Sequence, residues 1–174
     1  LTVFVTEDEL RELAAQGYAF TRIAAYPSAK APTGYRTYSM VTQQLAAFAT
    51  QYPLICRVDS LGTSTQGRDI WAILISDNPD IEEDEPEFKY VSTIHGNEPL
   101  GTELCMRLVE RLLTDYGVDP RITDLVDTTA ISVVPLMNPD GYQSGFRTNA
   151  QGYDLNRSFP IYATDFTGAL FDGS

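Results

Sequence analysis

The feature that most constrains the fold of this chain is a strand, a helix and a second strand that follow one another in its central part. The segments Phe88 to Ile94 and Ala130 to Leu136 are short and apolar, as strands are. Between them a helix is predicted from about Pro99 to Tyr116. Its apolar stripe is predicted to face the core and consists of Leu104, Leu108, Leu112 and Leu113. This order is typical of a sheet with crossover helices, so the sequence predicts an α/β domain.

Size and charge narrow the classes of partner. At 174 residues, with 43% hydrophobic and 21% charged residues, the chain can bury a core and is most simply one domain. Its formal net charge is -12, which disfavours nucleic acid and anionic membranes, because both need clustered lysines and arginines. No apolar run approaches the ~20 residues of a membrane span.

The two cysteines, Cys56 and Cys105, lie among apolar residues, which favours buried free thiols over a disulfide.

Residues 1–35 differ from the rest and are predicted to form a separate N-terminal segment. A strand is predicted over Leu1 to Val5, and a helix over Glu7 to Gln16 with Thr6 as its N-cap and Gly17 at its end. Residues 28–34 hold two prolines and a glycine, as linkers do. The chain shows no signal peptide and begins without methionine, as a processed or trimmed product would.

After residue 35 the pattern predicts a helix, a hairpin and a loop. Apolar residues at helical spacing precede Pro53, which ends that helix: Val41, Leu45, Phe48 and Tyr52. The strands Leu54 to Gly62 and Asp69 to Ser76 flank a turn at Ser64 to Gly67 and predict a hairpin. The acidic stretch Asp77 to Glu87 is interpreted as a solvated connection rather than a cation site, because nothing in it sets a ligand geometry.

A candidate metal pair follows the first central strand. His95 is the only histidine of the chain, and Glu98 lies three residues after it. An imidazole nitrogen and a carboxylate oxygen at this spacing can reach one ion from a single turn, and zinc accepts both. Taken alone, the pair is better explained by a histidine that ends a strand and a glutamate at the favourable N-terminus of a helix. Residues further along the chain decide between the two interpretations.

Those residues follow the second central strand. Asn138 to Gly141 reads Asn-Pro-Asp-Gly, which on propensity alone predicts a turn. Arg147 and Arg157 lie in a glycine-containing loop, and in so acidic a chain they could simply form surface ion pairs. Loops that follow sheet strands are, however, where α/β proteins place their binding groups.

Together, these motifs carry a family resemblance. In order and spacing, the chain resembles the zinc metallocarboxypeptidases of the carboxypeptidase A/B and N/E type over about residues 35–160, on the basis of His95 to Glu98, Asn138 to Gly141, Arg147 and Asp154 to Arg157. Asn97 stands where the A/B-type enzymes have an arginine, so the chain is more similar to the N/E type or a bacterial relative. The resemblance implies an α/β fold with a mixed, mostly parallel twisted sheet flanked by helices, of which only the first half would be present.

The resemblance also implies roles for individual residues around a zinc ion. His95 and Glu98 would be two ligands of a His₂Glu site, the type that carboxypeptidase A has. The zinc would polarise the scissile carbonyl and activate a water. Asp154 resembles the carboxylate that hydrogen-bonds the ligand histidine and sets its tautomer, although a residue that caps a loop would look the same.

Three further residues would contact the substrate, which is the C-terminus of a peptide or protein. Arg147 would be both catalytic and substrate-binding, as a positive charge aimed at the oxyanion of the tetrahedral intermediate. Asn156 and Arg157 would hold the terminal carboxylate, a task that suits the planar, bidentate guanidinium of arginine.

The resemblance is incomplete, and its gaps predict a partial domain. A second histidine ligand is absent from the sequence, and the family's general-base glutamate and substrate-binding tyrosine belong to a region beyond Pro160. We therefore expect residues 36–174 to be the N-terminal portion of a catalytic domain that is inactive alone. Residues 1–35 would be an N-terminal extension or the end of a pro-region. The family resemblance also implies a secreted or periplasmic protein.

Three functions remain open at this point. The first is a hydrolase that removes C-terminal residues from peptides by means of a zinc-activated water. The second is a non-catalytic module that binds peptide C-termini through Asn156 and Arg157, and the metal pair with Arg147 argues against it because a binding module needs neither. The third is a related zinc amidase or deacylase, which the intact Asn156–Arg157 pair disfavours.

Overall fold

The computed structural model describes residues 7–19 and 34–157 of the chain. It contains five α-helices in this part, with bounds α1 Glu7–Ala15, α2 Tyr38–Gln51, α3 Pro99–Asp115, α4 Pro120–Asp127 and α5 Pro139–Ser144. The strands are β1 Cys56–Thr63, β2 Asp69–Ile75, β3 Glu87–Val91 and β4 Ala130–Val134, and a 3₁₀ turn covers Leu155–Arg157. The strand predicted over Leu1 to Val5, the N-cap at Thr6 and most of the 28–34 linker lie outside the described residues.

The four strands form one mixed sheet in the order β1-β2-β4-β3. β3 and β4 are parallel, as expected for strands joined by a crossover that contains helices α3 and α4. β1 and β2 form the predicted antiparallel hairpin, and β2 is also antiparallel to β4. The predicted α/β fold with a mixed sheet is confirmed, and parallel pairing is the minority among the described strands.

The hairpin turn has the chemistry that its sequence predicts. The backbone N–H of Ser64 donates to the carbonyl of Arg68 at 2.8 Å, and the N–H of Gly67 donates to the carbonyl of Ser64 at 2.9 Å. Gly67 has φ +74°, a left-handed conformation that glycine adopts without steric cost. The turn therefore closes as a compact unit whose side chains reach the candidate site described below.

The core lies between one face of the sheet and the helices α2 and α3. It includes Val41 and Leu45 of α2, the strand residues Ile73 and Val133, and Met106 of α3, all almost fully buried. Thr37 caps α2 by accepting a hydrogen bond from the N–H of Met40, and helix α2 ends before Pro53, as predicted. β3 is exposed along all five residues, with the rings of Phe88 and Tyr90 in contact at 4.5 Å.

The predicted core stripe of α3 is wrong at one position. Leu112 and Leu113 are buried and Leu108 packs against the core, but the Leu104 residue is 59% exposed. Leu104 lies two residues before the fully buried Met106, and two residues of an α-helix correspond to about 200° of rotation. The apolar face of the helix instead contains Thr102, Cys105, Met106 and Val109 in addition to the two buried leucines.

The remaining segments behave as their composition predicts. Both cysteines are free and buried, and burial raises the pKa of the Cys56 thiol to about 11, which makes it a poor nucleophile. Within the acidic loop, residues 80–84 are exposed to solvent. Among the residues that the structure describes, none of the helices combines the length and apolarity needed to cross a bilayer.

Candidate metal centre

The candidate metal centre is built around His95, just beyond the end of β3. The His95 side chain is only 7% exposed, and both of its ring nitrogens face carboxylates. Nδ1 lies 3.1 Å from Oε1 of Glu98, and Nε2 lies 3.0 Å from Oδ1 of Asp154. Asp154, which is 59 positions after His95 in sequence, thus contacts the same imidazole as Glu98, as the family resemblance implied.

The turn at Thr93, which positions His95, has a strained backbone and is held by hydrogen bonds. Thr93 has φ +52°, a left-handed conformation that costs a β-branched residue about 1–3 kcal/mol. Its hydroxyl donates to the carbonyl of Glu98 at 3.2 Å and is 2.8 Å from the hydroxyl of Thr102 on α3. The Thr102 hydroxyl in turn donates to the carbonyl of Pro135 at 2.9 Å. This buried chain of hydroxyls holds the strand end and the start of α3 in one geometry.

The geometry around His95 suits a metal at Nδ1 when Nε2 carries the proton. In the neutral ring, an Nε2–H that donates to Asp154 leaves the Nδ1 lone pair directed towards Glu98. Two lone pairs at 3.1 Å repel each other unless a proton or a metal ion lies between them. Zinc ligands at about 2.0–2.2 Å in a tetrahedron are roughly 3.4 Å apart, close to the separation seen here. The pair therefore has the donor chemistry and spacing for one zinc ion.

Arg147 balances the negative charge of this cluster. Its Nε donates to Oδ2 of Asp154 at 3.1 Å, and its Nη1 lies 3.5 Å from Oε1 of Glu98. Partial burial of Asp154 opposes ionisation, but hydrogen bonds from His95 and Arg147 and from the N–H of Asn156 outweigh it and lower the pKa of the Asp154 carboxyl. Asp154 is thus held as a carboxylate that orients the imidazole and the guanidinium together.

Among the described residues, His95 and Glu98 are the two candidate zinc ligands. Among residues 7–19 and 34–157, no group of three or more histidine, cysteine, aspartate or glutamate side chains has a geometry that could hold a metal ion. The sequence contains one histidine in total. A His₂Glu site therefore requires a second histidine from outside this sequence.

The predicted carboxylate-binding pair lies beside the cluster on the exposed 3₁₀ turn. The N–H of Asn156 donates to Oδ1 of Asp154 at 3.0 Å, which ties the turn to the residue that orients His95. Both Asn156 and Arg157 are exposed, and Nη1 of Arg157 donates to the carbonyl of Asn156 at 3.0 Å. Their predicted role stays a prediction, and Asp154 combines the two roles considered for it, as partner of the imidazole and as cap of the turn.

The Asn138 to Gly141 segment does more than turn the chain. It starts helix α5, with Asn138 as the N-cap that accepts from the N–H of Gly141 at 3.0 Å and proline in the first turn. The prediction of a simple turn was therefore incomplete, because the segment begins a helix. Asparagine followed by proline is the signal that indicates a helix start here, because asparagine caps and proline suits the first helical position.

Asp140 is a second residue whose importance the sequence did not reveal. It is buried and accepts hydrogen bonds from three groups of the β1–β2 turn: the Ser64 hydroxyl at 2.8 Å, the Gln66 N–H at 3.1 Å and Nη1 of Arg68 at 2.6 Å. A buried carboxylate that is fully paired links two elements rigidly. Asp140 thereby joins the hairpin to the helix that precedes Arg147.

Close backbone packing at Gly96 predicts a large effect of a single methyl group. A Cβ on Gly96 would lie 2.0 Å from the carbonyl carbon of Gly141 and 2.2 Å from the backbone nitrogen of Tyr142. Since both are backbone atoms, the loop and α5 would have to separate. We expect Gly96→Ala to destabilise the full-length protein by about 3 kcal/mol or more, measured by denaturant unfolding.

Gly101→Ala is the matched control for that variant. Its Cβ would come closest to the hydroxyl of Ser92, at 2.1 Å, which can rotate away, and the next atoms lie at 3.4 Å and 3.5 Å. Alanine favours a helix over glycine by about 1 kcal/mol. We expect little change or a slight gain in stability. Equal losses in the two variants would contradict the close approach at Gly96.

Comparison with known proteins is consistent with this geometry. Residues 41–169 match the family model described as Zinc carboxypeptidase. Carboxypeptidase D of Homo sapiens is 46% identical over 126 residues, which are 67% of this chain and 9% of that protein. Carboxypeptidase M of Mus musculus is 40% identical over 126 residues, which are 67% of this chain and 28% of that protein. The chain thus spans less than a third of the length of these curated relatives.

The fold has solved counterparts as well. The crystal structure of carboxypeptidase A from Helicoverpa armigera superposes with a TM-score of 0.66 at 26% sequence identity. The match covers 89% of this chain and 40% of that one. The described fold is therefore shared with that carboxypeptidase.

Proposed function

Because the chain belongs to the zinc carboxypeptidase family, we propose that it supplies the first two zinc ligands of an enzyme that removes C-terminal residues from peptides or proteins. The observation that carries the proposal is the double contact of His95, whose Nδ1 faces Glu98 while its Nε2 is held by Asp154. In metal sites, a ligand histidine commonly donates the N–H of its other ring nitrogen to a carboxylate in this way.

The proposed reaction assigns a task to each residue of the cluster. Zinc, when bound, supplies a Lewis acid that polarises a carbonyl and makes water more acidic. Asp154 keeps the proton on Nε2 of His95, so that Nδ1 remains available to the metal. Arg147 is a fixed cation at the rim of the cluster, where it can stabilise negative charge that develops on the scissile carbonyl oxygen.

The ligand count supports the proposal that further polypeptide contributes the remaining chemistry. Two donors do not complete a four-coordinate site, and the relatives that this chain matches are several times longer. We propose that the second histidine and the general base are contributed by that further polypeptide. On this proposal, the 174 residues alone bind zinc poorly and do not turn over substrate.

Zinc content and peptide hydrolysis together test the proposed function. The full-length protein should contain about one zinc per molecule and release single C-terminal residues from a peptide. Treatment with a chelator should abolish release, and added zinc should restore it. A protein that binds the peptide without releasing a residue would be the non-catalytic module, and one that cleaves only N-acyl groups would be the amidase or deacylase.

Replacing Arg157 should alter selectivity for the substrate terminus. Loss of its planar, bidentate guanidinium removes the partner proposed for a free α-carboxylate. We expect Arg157→Ala to lower kcat/KM on peptides with a free C-terminus by about tenfold or more, because charged hydrogen bonds contribute about 1.5–3 kcal/mol. The measurement compares free and C-terminally amidated peptides of the same sequence.

Arg121→Ala provides the control for that comparison. Arg121 is also an exposed arginine, but it pairs locally with Asp119 at 2.9 Å on helix α4. This variant should leave the preference for a free terminus at its original value. Equal losses on free and amidated peptides in Arg157→Ala would refute the proposed carboxylate contact.

A further inference from the structure

Asn138 is an almost fully buried amide next to the candidate metal centre. Its residue is 2% exposed, and every polar atom of its amide has a partner. Oδ1 accepts from the N–H of Gly141 at 3.0 Å, which caps helix α5. Nδ2 lies 3.2 Å from the carbonyl of Ile94 and 3.4 Å from the carbonyl of Arg147, and donates to both.

Those two carbonyls belong to the two segments that form the centre. Ile94 directly precedes His95, and the second carbonyl is that of Arg147 itself. The carbonyl of Arg147 also accepts from the N–H of Gly96 at 3.3 Å, and the N–H of Asn138 donates to the carbonyl of Thr93 at 3.1 Å. One residue therefore connects both segments through its side chain and its backbone.

The space around this amide leaves no room for adjustment. A Cβ on Gly141 would lie 2.4 Å from the carbonyl oxygen of Thr148 and 2.6 Å from Nδ2 of Asn138. The close approach at Gly96 lies on the other side of the same helix start. Only a short side chain with two N–H donors and one acceptor satisfies this site, and asparagine alone has that set at that length.

We infer that Asn138 is a positioning residue that sets the distance between the metal-binding imidazole of His95 and the guanidinium of Arg147. This inference rests on the proposed function, because the distance matters only if a metal and a developing oxyanion occupy that space. Asn138 touches neither; it acts through the carbonyls of Ile94 and Arg147. Placement errors of about 1 Å cost an enzyme about a hundredfold in rate, so such a bridge has a large effect.

Asn138→Ser in the full-length protein tests the bridge. Serine retains an acceptor that can cap α5, but its hydroxyl cannot reach both carbonyls. We expect kcat to fall about tenfold or more with KM close to its original value, because substrate contacts remain. The rate of zinc loss to a chelator should rise about 10–100-fold. Asn138→Asp, which keeps the shape and the cap but has no donor, should show the same changes.

Asp119→Ala is the matched control for the loss of a helix cap. Asp119 caps α4 by accepting from the N–H of Arg121 at 3.0 Å, and it lies on a helix that contributes no residue to the metal centre. This variant should leave kcat and zinc release unchanged. If a folded Asn138→Ser protein also keeps the original kcat and zinc release, the inference is overturned.

Hydrogen exchange separates this inference from the proposed function. Loss of the bridge should speed amide exchange at Gly96, whose N–H donates to the carbonyl of Arg147, whether or not zinc is bound. Suppose that exchange is faster in Asn138→Ser, but that the wild-type protein has no zinc and no peptidase activity. That result would refute the proposed function while the bridge itself stands. Unchanged exchange with an active zinc enzyme would refute the bridge alone.

Discussion

On the proposed function, a His95→Ala variant of the protein should purify without zinc and show no measurable release of C-terminal residues. The imidazole is the proposed ligand that contacts both carboxylates, with Nδ1 beside Glu98 and Nε2 beside Asp154. Loss of an outer carboxylate partner typically lowers metal affinity by 10–100-fold, and loss of the ligand itself should cost more. Metal analysis after dialysis and a peptide hydrolysis assay at saturating zinc measure the two effects.

Asp154→Asn is the graded comparison for that variant. An amide can keep the contact with the ring but removes the charge that favours a proton on Nε2. We expect zinc affinity between those of the wild type and His95→Ala, with activity recovered in part at high zinc concentration. Stoichiometric zinc in His95→Ala would show that the metal lies elsewhere and would refute the assigned pair.

An Arg147→Ala variant should lower kcat by about a hundredfold or more while KM changes little. The guanidinium is held by Asp154 at 3.1 Å and lies 3.5 Å from Glu98, so it is pre-oriented beside the atoms where the proposed reaction would develop negative charge. A donor that acts on the transition state affects kcat more than substrate binding. Steady-state kinetics on one peptide, with zinc content determined on the same sample, provide the test.

Arg147→Lys keeps the positive charge and separates charge from geometry. Lysine cannot reproduce the planar fork that contacts Asp154 and faces Glu98 together, so we expect only partial recovery of kcat. A large rise in KM with unchanged kcat in Arg147→Ala would assign this residue to ground-state binding instead. Loss of zinc from the alanine variant would indicate that Arg147 supports the metal ligands rather than the oxyanion.

The most local patterns of the sequence were the most reliable. Strand, helix and strand around the centre appear within a few residues of their predicted bounds, as does the β1–β2 hairpin. Periodicity, proline and glycine act over one or two turns of chain, so they carry this information directly. The same reasoning misplaced Leu104, because an apolar residue on a helix does not by itself show which neighbours cover it.

The candidate site was predicted as a set of residue types, and the structure shows how its members meet. His95, Glu98, Arg147 and Asp154 come together in one cluster, whereas Arg157 makes its contact with the adjacent Asn156. The buried links through Asp140 and Asn138 were not predicted. Both lie in a short motif whose turn propensity conceals contacts with residues far along the chain.

The sequence by itself determined the α/β class, the order of the elements, the candidate metal-binding residues and the membership of a family. These follow from local periodicity and from motif spacing, which need no knowledge of distant neighbours. Only the tertiary structure decided which nitrogen of His95 faces Glu98, how Arg147 is held, and that one buried asparagine joins the two segments. The physical reason is that hydrogen-bond partners and burial depend on contacts between residues that are far apart in the chain, and folding alone sets those distances.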